Sequence, residues 1–125
     1  MEFQYQYLLD LVSKGKRPDG RKPDEYRDIN IETGVIFKAE GSAKVSIGET
    51  QVLAGVKLGI GQPYPDKPDE GVLITGAEFS PVASPEFEAG PPDEDAIELA
   101  RVVDRGIRES EAIDMKKLFI DEENV

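Results

Sequence analysis

The sequence predicts an α+β fold, a mixed β-sheet with a hairpin packed against helices, and three observations carry that prediction. Residues 43–60 alternate apolar with polar side chains about a short interruption, the pattern of a half-buried hairpin. Residues 96–107 change period to steps of three and four, the pattern of a helix with one buried face. Between them GQPYPDKPDEG, residues 61–71, carries three prolines and two glycines and reads as an exposed loop.

Taken in order, residues 2–13 place Gln4, Tyr7, Leu8, Leu11 and Val12 at helical spacing. This predicts a short amphipathic docking helix over residues 1–13, ahead of a domain over 14–125. Pro18-Asp19-Gly20 makes a tight turn and Pro23 a second break. Ile29 and Ile31 then alternate with polar neighbours in an extended piece. In the hairpin, Ala43, Val45 and Ile47 lead into Gly48-Glu49-Thr50-Gln51, and Val52, Ala54, Val56, Leu58 and Ile60 resume the alternation. One face of this sheet should be covered. GVLITGAEFS, residues 71–80, reads as a further strand, and the proline-broken 80–92 as a surface wrap.

The long helix should start at Asp93, because Pro91 and Pro92 block an earlier start and the Asp93 side chain can cap. Glu94, Asp95 and Glu98 suit the positive end of its dipole. Its buried stripe is Ala96, Leu99, Ala100, Val103 and Ile107, and it should run to about Ala112. Leu118–Ile120 reads as the start of one more strand.

A chain of 125 residues fits one domain and can bury roughly 65–70% of its unfolded surface. It has no cysteine, which points to a reduced, cytoplasmic setting. The start, MEFQYQYLLDLV, lacks the basic flank and apolar run of a signal peptide. No apolar stretch approaches the roughly 20 residues that span a bilayer, so no membrane partner is expected. With 26 acidic against 15 basic residues, the surface as a whole cannot coat nucleic acid. Any such contact must be local. The charge is unevenly placed: residues 14–27 hold six basic and three acidic side chains, residues 86–98 six acidic and no basic ones.

The absence of histidine and cysteine removes the common nucleophile and base pairs. Asp93-Glu94-Asp95 suits a helix cap better than a metal, since neighbouring residues at a helix start point apart. Neither G-x-G-x-x-G nor a phosphate-loop lysine occurs, so no cofactor is expected. What stands out is RVVDRGIRES, residues 101–110, with half of the chain's six arginines. At ~100° per residue, Arg101, Arg105 and Arg108 project from a stripe only ~60° wide. Intrahelical pairing offers Asp104 to Arg108 and Glu98 to Arg101, each worth ~0.2–0.5 kcal/mol. Arg105 can look only to Glu109. Forked guanidinium groups in a row also suit backbone phosphates. On spacing alone a salt-bridged surface is favoured, with nucleic-acid contact and a protein interface both open.

The run KRPDGRKPDEYRDINIETGVIFKAEGSAKVSIGETQVLAGVKL resembles the amino-terminal signature of the ribonuclease PH family. The matching positions are Arg17, Asp19, Gly20 and Arg21, then Arg27, then Gly41-Ser42-Ala43, then Gly48, Thr50 and Val52. The later FEAGPPDEDAIELARVVDRGIRES resembles the non-catalytic branch of that family in archaeal exosomes. The resemblance covers residues from about 14 to 120, roughly half of a family member's length, and implies a ribonuclease-PH-type half-domain. It implies a hexameric ring of three heterodimers with a catalytic relative, RNA-binding cap subunits, and a channel for single-stranded RNA. The family's phosphate site and catalytic acid would lie in the other half. Active members tend to carry basic residues where this helix starts with Glu94 and Asp95. The resemblance therefore implies a subunit with no catalytic residue of its own, in which Arg101 and Arg105, and less strongly Arg108, hold the RNA backbone beside the partner's site. Arg21 and Arg27 are expected as structural ion pairs, and the role of Lys67 in the loop stays open.

Overall fold

The computed structural model describes residues 2–125. The chain divides into two compact units, Met1–Leu58 and Gly59–Val125.

In the first unit, helix α1 spans Glu2–Ser13 as the spacing predicts. It buries none of its residues, and Phe3 and Val12 stay well exposed. It does not pack on the sheet that follows. Strands β1 (Ile29–Thr33), β2 (Gly41–Ile47) and β3 (Thr50–Val56) form a sheet of order β1-β2-β3. Both pairings are antiparallel, so among the described residues the sheet is not the mixed one expected. The register places Ile31 opposite Val45, Val45 opposite Val52, and Ala43 opposite Ala54. Partners directly opposite share a face, so the predicted alternation does gather the apolar side chains on one side. That face, however, is not covered as expected: every residue of β1 and β3 is exposed, with Ile31 at 63% and Val52 at 57%.

The hairpin turn is shorter than the sequence suggests. Gly48-Glu49 alone joins the strands, and Thr50 and Gln51 already pair with Ile47 and Ser46. Gly48 has φ +60 while Glu49 keeps an ordinary φ, the arrangement of a type II′ turn with glycine first. A side chain there would also strike Arg27, whose Cδ lies 3.0 Å from where a Cβ would sit. β3 stops at Val56, and Leu58 and Ile60 are exposed in the loop rather than in the strand. Glu40 ends the strand locally: its carboxylate takes Lys57 Nζ at 2.7 Å and the Leu58 amide at 2.8 Å. These bonds, the lysine's first, hold the Glu40 carboxyl below its ordinary pKa.

In the second unit, residues 61–71 form the expected loop. Residues 71–80 are extended without forming a strand, because no neighbour supplies a ladder. Their burial still alternates: Leu73, Thr75, Ala77 and Phe79 are partly covered, whereas Ile74, Gly76, Glu78 and Ser80 are exposed. Phe79 stacks on Phe87 of the proline-rich wrap at 4.9 Å between ring centres. Helix α2 spans Glu94–Glu109 and is capped by Ser110, short of the Ala112 end expected. The Ser110 hydroxyl donates to the Ile107 carbonyl, and Glu111 turns the chain out with φ 54. In place of a strand at Leu118, a single 3₁₀ turn spans Met115–Leu118, capped by the Asp114 side chain at the Lys116 amide. Leu118 packs where Gly71 has no side chain; a Cβ on Gly71 would fall 2.6 Å from it.

Ala96 is the one fully buried apolar residue among the described residues, at 1% exposure. Ala100, Asp104 and Ile107 continue its line along α2 in steps of four, four and three, each half-buried. Leu99 and Val103, expected in the buried stripe, are instead exposed.

Candidate nucleic-acid contact site

The Asp93 side chain accepts from the Ala96 amide at 2.8 Å, as the sequence predicts, and fixes where α2 begins. Everything on the helix is then placed by its 3.6-residue turn. The line Ala96, Ala100 and Asp104 faces the extended segment 75–77, and a cleft of about 440 Å³ opens between them. Thr75, Gly76 and Ala77 form one wall and α2 the other, with Arg101 and Arg105 on the helix side. The lining is mostly small and apolar, so the two guanidinium groups are the only cations in it.

The three arginines differ in what already holds them. Arg108 is committed: its Nε donates to Asp104 Oδ2 at 2.6 Å and its Nη2 to the Leu73 carbonyl at 2.6 Å. Thr75 donates its hydroxyl to the same carboxylate at 3.0 Å. This network ties α2 to the extended wall of the cleft. The hydrogen bond from Arg108, helped by Thr75 and opposed by partial desolvation, holds the Asp104 carboxyl below its ordinary range. The same bond raises Arg108 above its already high value, so the pair stays charged at any physiological pH. Arg108, expected as an RNA contact, is thus already paired with Asp104 and the Leu73 carbonyl and braces α2 against the extended segment.

Among the described residues Arg105 meets only Glu109, with Nη2 to Oε1 at 2.8 Å and Nε to the same oxygen at 3.2 Å. Both side chains are open to water, at 75% and 67% exposure. Arg101 has no ion-pair or hydrogen-bond partner among the described residues; the expected Glu98 to Arg101 pair does not form. Glu94 and Asp95 lie in the first turn of the helix.

Elsewhere the expectations divide. Arg21 pairs with Asp19 at 2.6 Å and donates to the Glu25 carbonyl. Arg27 forms no ion pair among the described residues; it reaches the Thr50 hydroxyl at 3.3 Å and packs on Gly48. Lys67 sits 3.6 Å from Glu70 within its own loop. Thr75, Gly76 and Ala77 are the cleft residues that sequence reasoning missed. Their signal was the strand-like stretch 71–80, which suggested an extended backbone without showing that it faces α2.

A profile of the 3′ exoribonuclease family, domain 1, matches residues 25–121. A Methanosarcina acetivorans protein named Exosome complex component Rrp42 is 66% identical over 114 residues, covering 91% of this chain and 43% of that protein. Its namesake in Archaeoglobus fulgidus is 57% identical over 122 residues, covering 98% and 47%. The chain thus spans about half the length of the curated relatives it matches. Among solved structures, one described as the Archaeoglobus fulgidus exosome with RNA bound to the active site superposes with a TM-score of 0.93 at 57% identity. It covers 99% of this chain and 49% of that one. An archaeal exosome core superposes with a TM-score of 0.84 at 51% identity, over 99% and 46%.

Proposed function

The chain belongs to the 3′ exoribonuclease family of ribonuclease PH proteins, and from that premise we propose that it serves as an RNA-holding, non-catalytic subunit of an archaeal exosome. In this reading it assembles with a catalytic relative in a ring of three heterodimers, joined by RNA-binding cap subunits, in the cytoplasm. The likeness to proteins named as exosome components, 57 to 66% identical over nearly the whole chain, carries the proposal. No helix among the described residues is long and apolar enough to cross a membrane.

The chemistry of the cleft supports the division of labour. Degradation that ignores sequence needs contacts to phosphates and none to base edges. Arg101 and Arg105 offer forked donors for phosphate oxygens, the Gly and Ala positions of the walls carry no polar side chain to read a base, and the Thr75 hydroxyl and Asp104 carboxylate are already bonded to each other and to Arg108. Glu94 and Asp95 put two carboxylates in the first turn of α2, where a phosphate would otherwise be welcome, and repel it. Among the described residues no cluster of acidic side chains could hold a metal ion.

The test is phosphorolysis. The full-length protein alone, supplied with inorganic phosphate and single-stranded RNA, should release no nucleoside diphosphate, and should support release once its catalytic relative is added. Release by the protein alone would establish the alternative, an active phosphate-dependent exoribonuclease.

A further inference from the structure

Of the three arginines on α2, one is committed, one is free, and one sits between those states. Arg108 gives two donors to Asp104 and a third contact to a backbone carbonyl, and its partner Asp104 is only 24% exposed. Arg101 has nothing to give up. Arg105 has a single partner, Glu109, and spends two of its donors on one carboxylate oxygen. An ion pair this exposed is worth little in water, so a phosphate entering the cleft can displace the carboxylate. The displaced Glu109 then regains full hydration at no other contact's expense, since Arg105 is its only side-chain partner in the second unit.

We propose that Glu109 gates Arg105: the carboxylate holds that guanidinium in the unliganded subunit and yields it to RNA, so Arg101 makes the first phosphate contact and Arg105 a second, conditional one. This inference rests on the RNA-holding reading and adds to it a residue that sets affinity without touching RNA. Glu109 is a positioning residue, acting through Arg105. Its charge lowers affinity by the strength of the pair that must break, and it makes binding less sensitive to salt than two free arginines would be.

The experiment is a double-mutant cycle on the assembled complex, read by fluorescence anisotropy of a labelled oligoadenylate over a range of salt. E109Q should tighten binding about two- to fivefold, the scale of an exposed pair. It should also steepen the plot of log affinity against log salt by up to ~0.7, one single-strand phosphate contact. In an R105A background E109Q should change neither quantity. An equal gain in both backgrounds would mean that Glu109 only adds to the general negative field, and no gain in either would mean that the pair does not compete; each overturns the proposal. R101A is the separate control on the underlying reading. If R101A leaves affinity unchanged, the RNA contact itself is wrong; if R101A weakens binding and the cycle shows no coupling, only the gate is wrong.

Discussion

Reversing both cleft charges, R101E with R105E, is expected to weaken binding of single-stranded RNA to the assembled complex by at least about tenfold. The two guanidinium groups are the only cations lining the cleft, whose other walls are apolar residues, Thr75 and Asp104, so no neighbouring lysine compensates. Loss of Arg101 also removes a released counterion, so the salt dependence should become shallower by ~0.7, one single-strand contact, with little further change from Arg105, whose contact Glu109 already offsets. The charges sit on the exposed side of α2, so thermal stability should move little. R108E should do the reverse. It breaks the bonds to Asp104 and Leu73 that hold the cleft wall to the helix, and its first effect should be on unfolding. Anisotropy beside a thermal melt separates the two outcomes, and double-mutant affinity within twofold of the parent would refute the arginine contact.

Ala96→Leu should be the most destabilising conservative change in the second unit. Ala96 is 1% exposed at the point where the Asp93 cap starts the helix, and it lines the floor of the cleft. Three extra carbons cannot fit at a position already closed to solvent without pushing into the cleft or into the chain beside it, and overpacking of this kind costs ~1–3 kcal/mol. The full-length protein should show a lower urea midpoint at unchanged slope. Leucine at Leu99's neighbour Val103, which is 43% exposed, offers a contrast: Val103→Leu should leave the midpoint where it is. Equal midpoints for Ala96→Leu and the parent would show that the helix is not seated where its burial places it.

How much of this was legible follows from the kind of signal each residue sends. Local signals were faithful: the Asp93 cap, the loop at 61–71, the antiparallel hairpin and the α2 period all lie within a few residues of their cause. Signals about coverage were not, because a periodicity reports which side chains favour burial and is silent about what covers them. Leu99 and Val103 therefore carry the apolar stripe and remain exposed, while the covered line runs through Ala96, Ala100 and Asp104, closer to the arginines. The strand expected at 71–80 shows the same limit: the segment is extended and its burial alternates, and only a partner could have made it a strand. At the site, spacing gave the arginine stripe and the two pairs Asp104 to Arg108 and Arg105 to Glu109. It could not rank them, since the Leu73 carbonyl and the Thr75 hydroxyl that commit Arg108 come from some 30 residues away.

The central claim is that Arg101, and after it Arg105, holds the RNA backbone while Arg108 braces the cleft. Phenylglyoxal, which reacts with free guanidinium groups, tests it directly on the assembled complex, with modification of each arginine counted by mass spectrometry. Without RNA, Arg101 should react fastest, Arg105 more slowly and Arg108 least; with saturating oligoadenylate, Arg101 and Arg105 should be protected and Arg108 unchanged. An Arg101 that reacts as fast with RNA bound as without it would contradict the account.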